Sequence, residues 1–125
     1  MREVIISENA PKPVGPYSQA IKVGNLVFVA GQGPVDPKTG KIVSGGIQEQ
    51  TKQTFRNIEA ILNAAGLTLK HVVKVSVFLK NIGDFGRMNE VYTTLFKREP
   101  PARTTVQANL PLEGMLIEAD VVAAL

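Results

Sequence analysis

The chain of 125 residues contains no cysteine and no tryptophan, and only one histidine. The lack of cysteine excludes disulfides, thiolate zinc sites and a cysteine nucleophile, and it fits a reducing, cytoplasmic setting. With His71 as the only imidazole there is no histidine-pair metal motif. No amino-terminal apolar segment of the leader type occurs, nor any apolar run long enough to span a bilayer, so no membrane association is expected. The net charge is only +3, and lysines and arginines are scattered along the chain. That dispersion argues against a nucleic-acid footprint. The length suits one domain over residues 1–125, large enough to bury a core without staples.

The patterning gives eight elements. Arg2 to Ser7, around Val4-Ile5-Ile6, reads as a first strand. Asn9 to Tyr17, with Pro11, Pro13, Gly15 and Pro16, is a stiff extended loop that delivers Tyr17 to the next strand. Ser18 to Val23 and Leu26 to Ala30 flank Gly24-Asn25, a hairpin signal. Gly31-Gln32-Gly33-Pro34 follows and permits close approach to the backbone; without a GKS/T continuation it is no phosphate loop. Asp36 to Gly46 is turn chemistry.

Ile47 to Ala65 predicts a helix with Ile47, Thr51, Phe55, Ile58, Ile61, Leu62 and Ala65 on its buried face, capped by Gly66. His71 to Lys80 predicts a strand with Val73, Val75, Val77 and Leu79 on one face and His71 at its start. Asp84 is placed to cap a second helix from Phe85 to Lys97, whose apolar stripe includes Met88, Val91, Tyr92 and Phe96. Pro100-Pro101 stops that helix, Arg103 to Ala108 is a strand, and Leu116 to Ala123 is the last strand.

The order is β-β-β-α-β-α-β-β. Two helices cannot cover both faces of a six-strand sheet, so both are expected on one face. In the last strand Ile117, Ala119, Val121 and Ala123 then point to the helices, and Leu116, Glu118, Asp120 and Val122 away from them. A bare face mixing apolar side chains with two carboxylates suggests association with further copies of the chain.

The chemistry centres on Arg103, a planar cation at a stiff strand entry and suited to a bidentate grip on a carboxylate. If the strands of Arg103 and Glu118 pair, the two side chains approach across one cleft. A cation to hold an anionic group and a carboxylate to handle water suffice for a simple hydrolysis. On spacing alone the two serve equally well as a structural ion pair.

Several short motifs, in their order and spacing, add a family likeness. They are Asn9-Ala10-Pro11, Gly15-Pro16-Tyr17-Ser18-Gln19, Gly31-Gln32 with Pro34, and Asp36-Pro37-Lys38-Thr39-Gly40. Asn57, Ala64-Ala65-Gly66-Leu67, Asp84-Phe85, Met88-Asn89, Tyr92, Pro101-Ala102-Arg103 and Ile117-Glu118 complete the set. Across nearly the whole chain the sequence resembles the Rid family, its RidA subfamily most. The resemblance implies a chorismate-mutase-like α+β fold, a mixed sheet with two helices on one face. It also implies homotrimers with inward-facing sheets forming a barrel and clefts between subunits.

The implied activity is cofactor-free hydrolysis of reactive enamines and imines, such as 2-aminoacrylate, to 2-oxo acids and ammonia. By the same resemblance Arg103 grips the substrate carboxylate, Thr105 contributes backbone contacts, and Glu118 orients the hydrolytic water. Tyr17 lines the pocket and is expected to join Glu118 in positioning that water, Gly31 lines the pocket, and Phe85 and Asn89 lie near it. Two other classes stay open: a non-catalytic module binding small carboxylates, and an RNA-cleaving translation inhibitor. The chain departs from the family's usual residues at Ala30, where serine is frequent, and at Gly33, where isoleucine is usual. It departs again at Thr105, where cysteine is common, and at Pro111, which comes one residue early. These changes bear on substrate preference more than on reaction class.

Overall fold

A computed structural model describes all of residues 1–125. Six strands form one mixed sheet: β1 (Arg2–Ile5), β2 (Ala20–Val23), β3 (Leu26–Gln32), β4 (Val72–Leu79), β5 (Ala102–Gln107) and β6 (Ile117–Ala124). Helix α1 (Ile47–Ala64) lies between β3 and β4, and α2 (Phe85–Leu95) between β4 and β5. The spatial order is β1-β2-β3-β6-β4-β5. Only β4 and β5 run parallel, joined by the α2 crossover, since a parallel neighbour needs a connection long enough to return along the sheet. The fold is α+β, as the patterning implied, with both helices on one face.

The core lies between that face and the helices. From β6, Ile117, Ala119, Val121 and Ala123 are buried as expected, beneath Phe55, Ile58, Ile61 and Leu62 of α1. Phe55 meets Tyr92 and Phe96 edge-on, with ring centroids 5.7 and 5.9 Å away, which joins the two helices. Gly66 takes φ of 78° after α1, and Leu67 N–H closes the helix end on the Leu62 carbonyl, as a left-handed cap should. No helix is long and apolar enough to cross a membrane.

Several local expectations are corrected. The register shifts between Val72 and Lys74, a bulge that turns Val73 outward and makes Val72 the buried residue. His71 is not a strand residue. It ends a 3₁₀ turn, Leu69–His71, where its Nδ1 accepts the Thr68 N–H at 3.0 Å in a capping box. Asp84 makes no side-chain cap to α2. That helix ends at Leu95, before the prolines, because Phe96 turns into the core; Glu99, ahead of Pro100, adopts φ of 46°. Leu116 precedes β6 and packs against the core instead of facing away from it.

Candidate functional site

The main correction concerns the strands of Arg103 and Glu118. They do not pair, because β4 runs between them. Arg103 sits opposite Val75 of β4, on the helix-covered face, whereas Glu118 sits opposite Phe78, on the bare face. A single copy therefore holds these two side chains on opposite sides of its sheet. The sequence-derived residues fall into two groups.

The first group surrounds Glu118. Tyr17, Gly31 and Glu118 line one cavity of about 880 Å³. The strand ending in Gly31-Gln32 brings its backbone against the carboxylate. A Cβ on Gly31 would collide with Glu118 Oε2 and stand 3.1 Å from its carboxyl carbon. Position 31 has no positive φ, so glycine is needed there for room and not for backbone freedom. Tyr17 rides on the proline-rich loop, its hydroxyl oxygen accepting the Val14 N–H at 3.3 Å.

Buried Gln19 anchors that loop. Its Oε1 accepts the Ser7 N–H at 2.7 Å, and its Nε2 donates to the carbonyls of Ser7 and Pro11. Two more buried amides hold the other cavity walls from α1. Gln50 donates to the Gly114 carbonyl and accepts the Leu116 N–H, fixing the approach to β6. Asn57 Nδ2 donates to the carbonyls of Gly33 and Val35 at 3.0 and 2.8 Å.

Glu118 makes no hydrogen bond and no ion pair; the only ion pair in the chain joins Lys52 to Glu49. Burial, and then the charge of Asp120 two residues on, push its carboxyl above the ordinary carboxylate value. Burial also raises Asp120, partly offset by the Ser76 hydroxyl and the Lys74 ammonium on β4. A carboxylate raised in this way is a stronger base toward water than an ordinary one.

The second group surrounds Arg103. Its guanidinium carbon lies 4.5 Å from the ring centre of Tyr92 and 5.5 Å from that of Phe85, held by two cation–π contacts. No carboxylate of the chain pairs with it. Asn89 stands on α2 between Phe85 and Tyr92, and Thr105 follows Arg103 on the same face of β5. Asn89 Oδ1, Tyr92 Oη and Thr105 Oγ1 are all buried without a hydrogen-bond partner. Burial raises the Tyr92 hydroxyl above its ordinary value, and the nearby Arg103 charge opposes that shift. A guanidinium braced by two rings and paired with no carboxylate, beside the buried polar atoms of Asn89 and Thr105, is suited to receive a small anion.

Sequence reasoning placed Tyr92 in the core stripe and gave no site role to Gln19, Gln50, Asn57 or Met115, which also lines the first cavity. For Gln50 and Asn57 a signal existed. With Ile47, Thr54 and Ile61 they keep helical spacing on the buried face, and polar side chains there must find partners.

The fold and the two half-sites define a small α+β protein with one group of residues suited to an anion and another suited to a water. Comparison with known proteins narrows this. A sequence profile described as Endoribonuclease L-PSP matches residues 7–125. A RutC family protein of Pyrococcus horikoshii is 55% identical over 98% of both chains. Human 2-iminobutanoate/2-iminopropanoate deaminase is 42% identical, over 98% of this chain and 90% of its own. The crystal structure of a conserved Rid family protein from Yersinia pestis, 39% identical, superposes with a TM-score of 0.95 over the full length of both. The chain belongs to this family, the Rid family.

Proposed function

We propose that residues 1–125 act as one unit that hydrolyses small 2-imino acids and their enamine tautomers to 2-oxo acids and ammonia. The observation that carries this reading is Arg103, a guanidinium held between two aromatic rings with no carboxylate of its own. It would take the substrate carboxylate as a bidentate partner, with Thr105 beside it offering its backbone. Glu118 would remove a proton from a water that attacks the imine carbon. Return of that proton to the nitrogen gives a neutral carbinolamine, whose hydroxyl proton then passes to the same nitrogen as the carbon–nitrogen bond breaks, so water is consumed, ammonia released and no electrons transferred. Tyr17 and the Gly31 backbone would line the reacting centre, and Phe85 and Asn89 the carboxylate end. No step in this scheme calls on a cofactor.

The opposite placement of Arg103 and Glu118 supports a site completed by a second copy of the chain. The bare face supports association too, since Val4, Phe28 and Val106 are exposed there. We read the assembly as the homotrimer that the family resemblance implies, with one site at each subunit boundary and the bare faces turned inward.

The family description names an endoribonuclease. His71, the only imidazole, is spent on its capping turn and does not line the cavity. The test is ammonia release from 2-iminopropanoate or 2-aminoacrylate generated in the assay by a pyridoxal-phosphate or oxidase enzyme. Wild type should accelerate it, and Arg103→Ala should lose about 10²-fold in kcat/KM through the lost charged hydrogen bonds. Equal rates for the two proteins would refute the assignment.

A further inference from the structure

Arg103 belongs to β5, the last strand of the sheet, whose only strand neighbour is β4. No strand lies beyond it to hold a long side chain in place. The only ion pair of the chain is Lys52–Glu49, so no carboxylate holds it either. An arginine in that position samples many rotamers, and a contact with a ligand must overcome that freedom. The restraint on this guanidinium comes from α2, where Phe85 and Tyr92 share one stripe two turns apart.

The two rings are not equivalent. The Phe85 centroid is 5.5 Å from the guanidinium carbon, and this side chain is 41% exposed at the first position of α2. The Tyr92 centroid is 4.5 Å away, and the residue is only 7% exposed. A cation over an aromatic face gains more where water is excluded. The Tyr92 ring is also fixed from its other sides. Phe55 of α1 meets it edge-on at 5.7 Å, and Phe96 lies against it at 4.7 Å. Outside the core, Gln48 ties α1 to α2 by donating to the Arg87 carbonyl and to Glu90 Oε1. The ring that faces Arg103 is thus part of the joint between the two helices, and it cannot turn without disturbing that packing.

We infer that Tyr92 is the positioning residue for Arg103: its ring face, locked in the helix joint, holds the guanidinium in the orientation in which it meets a carboxylate. The contact is made within one copy, on the helix-covered side of the sheet. Its kinetic consequence rests on the proposed hydrolysis, whereas the position of the guanidinium does not. The substrate carboxylate is unchanged by the reaction. A well-placed arginine therefore binds ground state and transition state alike, and losing that placement raises KM and leaves kcat unchanged.

The test uses Tyr92→Phe, which keeps the ring, and Tyr92→Leu, which removes it. A trifluorinated phenylalanine at position 92 keeps the shape and withdraws electron density from the ring face. The first measurement is the NMR signal of the Arg103 Nε–H, assigned by its loss in Arg103→Lys. Ring current should place it upfield of the other arginine signals in wild type and in Tyr92→Phe, and Tyr92→Leu should return it toward them. The second is KM and kcat for imine hydrolysis, with the affinity for 2-oxobutanoate measured by calorimetry. KM and the dissociation constant should rise about tenfold in Tyr92→Leu and about threefold or more with the fluorinated ring. In Tyr92→Phe both should stay close to wild type, and kcat should hold within about twofold in all three proteins.

A residue that only fills the core would leave the fluorinated protein like wild type, because the shape is kept. That protein also gives the answer if Tyr92→Leu does not fold. An Arg103 signal unmoved in Tyr92→Leu, a KM indifferent to the fluorinated ring, or a loss confined to kcat would overturn the inference. If wild type turns over no imine, the hydrolysis falls and the Arg103 signal decides alone: displaced by the ring and released without it, it supports the role of Tyr92, and unmoved, it overturns it.

Discussion

Arg103→Ala and Glu118→Gln each disable one half of the proposed site, and the sheet makes their combination informative. In one copy β4 separates the two residues, which also project from opposite faces. A working site must then take its arginine from one copy and its glutamate from another. Losing a bidentate charged contact costs about 3 kcal/mol, a factor of roughly 10² in kcat/KM. Losing a general base costs about 10²–10⁴. Either variant alone should therefore retain about 1% of activity or less.

Mixed one to one by joint refolding or co-expression, the two variants reassort. A site is whole when its arginine comes from a Glu118→Gln copy and its glutamate from an Arg103→Ala copy. With random assortment that holds for about one site in four, so about 25% of wild-type activity should return. Ammonia release measures it, and size-exclusion chromatography verifies that mixed assemblies have formed. A mixture no more active than the mean of its components would refute the shared site, since every chain in it carries a lesion.

Three further outcomes follow from the geometry. Gly31→Ala should fold normally, because φ there is not positive, yet lose about 10²-fold in kcat/KM as its methyl displaces the Glu118 carboxylate; unchanged kinetics would mean that this carboxylate does not need its observed position. Asn57→Ala leaves the Gly33 and Val35 carbonyls without their donor and should destabilise the chain by about 2–4 kcal/mol in urea unfolding. The pH dependence of stability should bear the mark of Glu118 and Asp120, whose carboxyls are raised above 4.5 and 3.8. The folded chain holds those protons more tightly than the unfolded one, so stability is greatest below these values and falls as pH rises through the window up to the raised ones. Each half-exposed group should contribute less than about 1 kcal/mol, and Glu118→Gln should flatten its share of the slope.

Local physics made much of this protein legible in its residues. Helical spacing over 47–65 gave α1 and its buried face, Gly24-Asn25 gave the hairpin, Gly66 gave the cap, and alternation in β6 gave which residues meet the helices. Each depends on neighbours within a few positions along the chain, where side-chain period and backbone sterics act directly. Arg103 and Glu118 could be singled out for the same reason: residue chemistry and strand phase are local properties.

Which strand lies beside which is not local. Patterning left β5 free to pair with β6, whereas the α2 crossover makes it a parallel neighbour of β4 and sends β6 between β3 and β4. The strand–helix–strand order around α2 favours that parallel pairing over one between β5 and β6. That single topological choice put the two residues on opposite faces. The walls around Glu118 are non-local as well, since Gln50 and Asn57 reach loops 22–66 positions away along the chain, and hydrophobic periodicity does not count amides. The amino-acid sequence by itself determined which elements form and which side chains are candidates for chemistry. Only the tertiary structure, by setting strand order and burying amides against distant carbonyls, decided that these candidates fall into two groups on opposite faces of one sheet.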